Sequence, residues 1–98
     1  MITFYNRSNQ ATKEQNLADF ETLQKMRNDL IGEIHAVMQY DDNIHSSNDR
    51  VAIETWQNIK QEELVHIGEL LANLNQLDPS QQQFVQQGID EFDDRMKS

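Results

Sequence analysis

The stretch from Trp56 to Leu74 reads WQNIKQEELVHIGELLANL, and its phase decides how the rest of the chain is read. On a helical wheel with Glu63 at zero, Trp56, Ile59, Ile67, Leu70 and Leu74 all fall within about 40° of it. Apolar residues at threes and fours with no breaker predict a helix. Glu63 stands in the middle of its apolar stripe. His66 follows one turn later, about 60° to the side. The pair is a Glu-x-x-His motif, Glu63-Leu64-Val65-His66, aimed at the core.

Reading backward from this helix, His45-Ser46-Ser47-Asn48-Asp49 is a short polar break, in which Ser47 or Asn48 can cap the helix that follows. Before the break, Leu17, Phe20, Leu23, Met26, Leu30, Ile34, Val37 and Ile44 repeat at helical spacing. Thr12 with Gln15 resembles a capping box that starts this helix. So short a break makes the two helices antiparallel neighbours. Reading forward, Asp78-Pro79-Ser80-Gln81 restarts the chain: a cap, a proline at the first helical position, and a capping-box glutamine. A shorter third helix carries Phe84, Val85, Ile89, Phe92 and Met96 on one side, and its Gln pairs and Asp90, Glu91, Asp93 and Asp94 on a solvated face.

The expected organisation is all-α: a flexible arm over residues 1–11, then one helical domain over 12–98 with helices about 12–45, 48–76 and 79–96. The first two helices are ~45 and ~40 Å long at 1.5 Å per residue. Ile31 and Met38 lie on the side of helix one opposite Met26, Val37 and Ile44. Two apolar faces on one helix call for a cover on each. Either helix three folds back over one, or a second copy completes a four-helix bundle.

Composition narrows the function. The chain has 98 residues and a net charge of −9, from 17 acids against 8 bases. That balance speaks against a nucleic-acid surface and suits a cation-attracting protein. No cysteine is present, so any metal must be held by His, Asp, Glu or Tyr. No apolar run approaches the ~20 residues of a membrane span. The sequence shows no signal-peptide pattern, and a cytoplasmic address is the default expectation.

On helix one, with Glu33 at zero, Met26, Ile44, Val37 and Tyr40 all fall within about 40°. Glu33, like Glu63, interrupts an apolar stripe at its centre. An ionised carboxylate there costs several kcal/mol unless paired. Two carboxylates and an imidazole on facing helices fit a divalent metal, which accepts O and N ligands. The ferritin-like di-iron plan takes a Glu from each of two helices and a Glu-x-x-His from each of the other two. This chain supplies half of that set, and a two-fold dimer supplies the whole. The competing reading is a buried polar network at a metal-free helical dimer seam. Tyr40 is either a hydrogen-bonding neighbour of a ligating carboxylate or an amphipathic core tyrosine with a wet hydroxyl. Trp56 reads as core, Glu62 and His35 as surface, and His45 as a loop residue without a partner.

With these residues placed, the chain resembles the encapsulated ferritins, short two-helix ferritin-like proteins that work inside encapsulin shells. The similarity covers roughly residues 14 to 96. It rests on Glu33, Tyr40, the Glu62-Glu63-x-x-His66 run, the 30-residue gap from Glu33 to Glu63, and the short third helix. The resemblance implies that Glu33, Glu63 and His66 are the catalytic metal ligands, with Tyr40 beside them. It further implies two iron ions per dimer, a ring of dimers often of ten chains, and oxidised iron passed to a surrounding shell. Gln39 stands where relatives often carry an aromatic residue, and Gly32 and His35 where they tend to carry acids along the path of the incoming metal. The C-terminal Asp94-Arg95-Met96-Lys97-Ser98 shows no clear shell-targeting tail.

The function expected from the sequence is therefore a ferroxidase: Fe(II) oxidised by O2 at a site between two subunits. The alternatives are a metal-free adaptor dimer and a rubrerythrin-like di-metal peroxidase; manganese or zinc would also suit the ligand set.

Overall fold

The computed structural model describes the backbone from Gln10 and the side chains from Phe20. Residues 1–9 of the expected arm lie outside the described residues, and Gln10 and Ala11, which were assigned to it, are helical. Three helices follow in order: α1 (Gln10–His45), α2 (Arg50–Leu77) and α3 (Pro79–Lys97). The described residues form no strand, as the all-α reading expects.

Local chemistry sets the breaks. α1 runs through Thr12, so the capping box expected there does not start it. The cap of α2 is Asp49, not Ser47 or Asn48: its Oδ1 accepts from the Ala52 amide at 3.0 Å. Ser47 instead accepts from the Asp49 amide at 3.1 Å and braces the turn. Such a cap is worth about 1 kcal/mol. His45 ends α1 rather than sitting in the loop, and its Nδ1 lies 2.9 Å from the Asp41 carbonyl. Asp78 caps α3 through the Gln81 amide at 3.2 Å, with Pro79 opening the helix. Gln81 does not reach back to the cap. Its side chain accepts from Arg27 at 2.8 Å and donates to Asn75 at 3.1 Å.

α1 and α2 form an antiparallel hairpin. Side-chain links descend one helix as they climb the other: Asp41 with Lys60 at 2.6 Å, Glu33 with His66 at 3.5 Å, and Arg27 with Asp78 at 3.2 Å. α3 packs on α2 and reaches α1 only through the side chains at its start. It does not fold back over the second apolar face of α1. Ile31 and Met38 remain 52% and 57% exposed.

The described chain measures 61 × 39 × 15 Å with a radius of gyration of 19.0 Å. A compact domain of about 100 residues has about 13 Å. A thickness of 15 Å is little more than one helix diameter of roughly 10–12 Å. Domains are built from at least two packed layers, and this chain forms one. Accordingly Leu74 is the only fully buried hydrophobic among the described residues. The inner stripe, including Met26, Val37, Trp56, Ile59 and Leu70, is half-buried, so Trp56 is not the enclosed core residue its pattern suggests. No described helix is long and apolar enough to cross a membrane.

Candidate metal centre

The stripe phases carry Glu33 on α1 and Glu63 and His66 on α2 to one place. Their ligand atoms all lie within 4.8 Å of one another. His66 Nδ1 is 3.2 Å from Glu63 Oε1 and 3.5 Å from Glu33 Oε1. The carboxylates are the more enclosed, at 25% and 19% side-chain exposure, while His66 is 48% exposed. The glutamates thus form the floor and the imidazole the open flank.

Protein groups balance the charge only in part: one imidazole, His66, lies beside two carboxylates. Glu33 Oε1 is buried and accepts no hydrogen bond. Two ionised carboxylates facing each other offer acceptors and no donor. A shared proton or a cation relieves this. Accordingly Glu63 is held above its ordinary 4.5, first because a proton on it can be shared with Glu33, then through burial and the charge of Glu33; His66 pulls it the other way. Desolvation opposes the charged form of His66, but the carboxylates of Glu33, Glu63 and Glu69 outweigh it and raise the imidazole above 6.5. The donor set is two carboxylates and one imidazole, which suits Fe, Mn or Zn.

The three residues open onto a groove of about 600 Å³ that also exposes Met26, Asp29, Gly32, Glu69 and Leu70. Tyr40 is half-buried on the same stripe, but its hydroxyl makes no hydrogen bond among the described residues and it does not line this groove. Glu62 and His35 are exposed. Gln39 donates to Asn43 at 2.9 Å along its own helix. Sequence reasoning passed over Asp29 and Glu69. The signal was there in part: they are i−4 from Glu33 and i+3 from His66, on the flank of each helix next to the ligands.

No family model matches this chain. No curated protein matches it either. Among solved structures, the crystal structure of an encapsulated ferritin domain from Pyrococcus furiosus matches with a TM-score of 0.70 and 29% identity. The match covers 93% of this chain and 89% of that one. This likeness supports the encapsulated ferritin-like family. The all-helical chain matches a ferritin-like fold, and the clustered Glu33, Glu63 and His66 are compatible with iron.

Proposed function

We propose that this protein is a ferroxidase that oxidises Fe(II) with O2 at a di-iron site shared by two subunits, for iron storage or detoxification inside an encapsulin shell. The observation that carries the reading is the cluster itself: O, O and N donors within 4.8 Å on facing helices, with a buried carboxylate oxygen that accepts no hydrogen bond. A half-set of ligands on a one-layer protein supports the same partner that the uncovered apolar faces require. The solved neighbour, an encapsulated ferritin domain, supports an iron role and a shell. A ring of dimers, about ten chains, is the assembly that the sequence resemblance implies.

Each residue has a task. Glu33 and Glu63 neutralise and bridge the two Fe(II) substrates, and each His66 completes the set around one of them. Carboxylate donors favour the harder, more charged Fe(III) product. Two Fe(II) release two electrons, which with two protons convert O2 to hydrogen peroxide. Glu63 and His66 give up their protons to solvent as the cations bind, and the two protons for O2 come from solvent. Tyr40, on the Glu33 stripe, would brace a ligating carboxylate in the closed dimer.

Anaerobic Fe(II) titration followed by sedimentation tests this. It should reach one ion per chain and shift the chain to a larger assembly. Binding without a defined stoichiometry, or assembly indifferent to both iron and chelator, would favour the metal-free adaptor dimer.

A further inference from the structure

α3 packs on α2 through its start, where Gln81 and Val85 are half-buried. The rest of its apolar side stays in water: Phe84 is 67% exposed and Phe92 51%. Gly88 lies between them, four residues from each, and on the wheel each ring falls about 40° to one side of it. A glycine inside a helix weakens it relative to alanine. Nothing within this chain calls for one here, since a Cβ at Gly88 would meet nothing within 4 Å. The result is a notch between two exposed rings, and a contiguous exposed apolar patch marks an interaction surface.

The charge along α3 fits a second α3. Five glutamines stand between residues 81 and 87, and the acids Asp90, Glu91, Asp93 and Asp94 follow. Gln86 and Gln87 donate to Asp90 and Glu91 at 3.0 Å within the helix. Gln82 and Asp93 share one flank of the apolar stripe, about 70° and 90° from its centre. Neither side chain makes a hydrogen bond among the described residues. A second helix laid antiparallel, with the two Gly88 positions facing, brings Gln82 within one residue's rise of Asp93 of the partner subunit. An amide donor then meets a carboxylate acceptor. The same register sets Phe84 beside Phe92 of the partner subunit, twice by symmetry. The two copies of Asp93 stay about 15 Å apart along the axes. A parallel pair would gather both acidic halves at one end, and facing like charges oppose association.

We propose that α3 is a self-association surface on which two copies of this chain pair antiparallel, crossing at Gly88. Glycine at the crossing lets the axes approach to the short end of the about 8–10 Å range of packed helices. The rings of Phe84 and Phe92 then close the notch from both sides as aromatic pairs. Arg95, whose guanidinium lies 5.5 Å over the Phe92 ring, rims the contact. Each helix uses the same patch, so the contact is a closed two-fold. It holds no metal ligand and stands apart from the hairpin seam.

The chain has no cysteine, so single-cysteine variants of the full chain read the geometry directly. Under mild oxidation in EDTA, G88C should form a disulfide-linked pair, because facing positions at the crossing fall within the about 4.4–6.8 Å Cα separation that a disulfide spans. F84C should not link, since its two copies lie about 12 Å apart along the axes. Any other pattern overturns the antiparallel pair. Gly88→Gln supplies a second measurement, because glutamine is the better helix former and fills the notch. Circular dichroism should show its helices intact, while sedimentation equilibrium in EDTA should show self-association weakened roughly tenfold or more, as overpacking at a contact centre predicts. A G88Q variant that associates as the parent does overturns the proposal.

Discussion

Replacing Glu33 by Gln changes one oxygen to an amide nitrogen and leaves the shape intact, and its effect should reverse sign between apo and metal-bound protein. In the apo chain Glu33 Oε1 is buried without a hydrogen bond, facing the Glu63 carboxylate. An unsatisfied buried polar atom costs about 1–3 kcal/mol. Glu33 keeps 25% of its side-chain exposure, so the low end must be discounted further. A Gln amide donates to Glu63 and removes one of two like charges. At a pH where His66 is neutral and no imidazolium pair is lost, the apo E33Q variant should therefore gain about 0.5 to 1 kcal/mol. For a chain of this size that is about 2 to 8 °C in Tm.

Metal inverts the result. At an ion concentration of about 100 Kd the parent gains about 2.7 kcal/mol. A neutral amide in place of an anionic ligand, weakening binding by about a hundredfold, leaves about 0.4 kcal/mol at the same concentration. E33Q should then melt above the parent in chelator and below it in metal, at matched protein concentration. Scanning calorimetry with EDTA and with Zn(II) measures both. An apo variant less stable than the parent would refute the claim that the oxygen is orphaned. Equal metal-induced shifts would refute its role as a ligand.

Changing Glu63 and His66 together to Ala should abolish O2-dependent Fe(II) oxidation while helical circular dichroism persists; oxidation at the parent rate would remove the site assignment. Because Glu63 and His66 both titrate above their ordinary 4.5 and 6.5, each favours the folded state in its protonated form. Apo stability should accordingly decline as pH rises, from 4.5 through the folded value of Glu63 and on past 6.5 through that of His66. Zn(II) affinity should change in the opposite sense and weaken on acidification, as protons reclaim the ligands; urea midpoints across pH, with and without Zn(II), read both. Arg27→Ala should release the start of α3 from α1 at a cost of up to about 1 kcal/mol, since the Arg27–Asp78 pair is part-exposed. Hydrogen exchange should quicken in the first turns of α3 and stay unchanged around Glu63.

The meeting of Glu33, Glu63 and His66 was legible because helical phase is set by residue spacing alone. Two glutamates at the centres of apolar stripes on adjacent helices face one another, and His66 stands one turn from the second of them. The cap of α2 was not legible to the residue. Ser47, Asn48 and Asp49 are all competent acceptors, and the choice falls to whichever is extended one residue before the helix. Nor was the path of α3. A wheel shows that Phe84, Ile89, Phe92 and Met96 share a side, but not what covers them, and they remain exposed. The link from Arg27 to Asp78 and Gln81 holds the start of α3 where it leaves the hairpin. Asp29 and Glu69 read as ordinary solvated acids until the register of two helices set them on one groove.

That register also bears on how assembly and chemistry connect. In the proposed dimer a one-layer chain has two separate features at the seam: apolar faces left in water, and two carboxylates that share a single imidazole. The first favours association whether or not metal is present. The second does not, because bringing two more carboxylates to the seam adds like charge to a chain already at −9. In the proposed dimer, metal changes the sign of that second contribution. Linkage then requires reciprocity: whatever factor metal adds to the association constant, association adds to metal affinity. A monomer should hold iron weakly, and a chelated dimer should loosen as salt is lowered and repulsion is unscreened. Those two responses come from the same half-buried carboxylates, so a variant that abolishes one and spares the other would break the connection between the site and the fold.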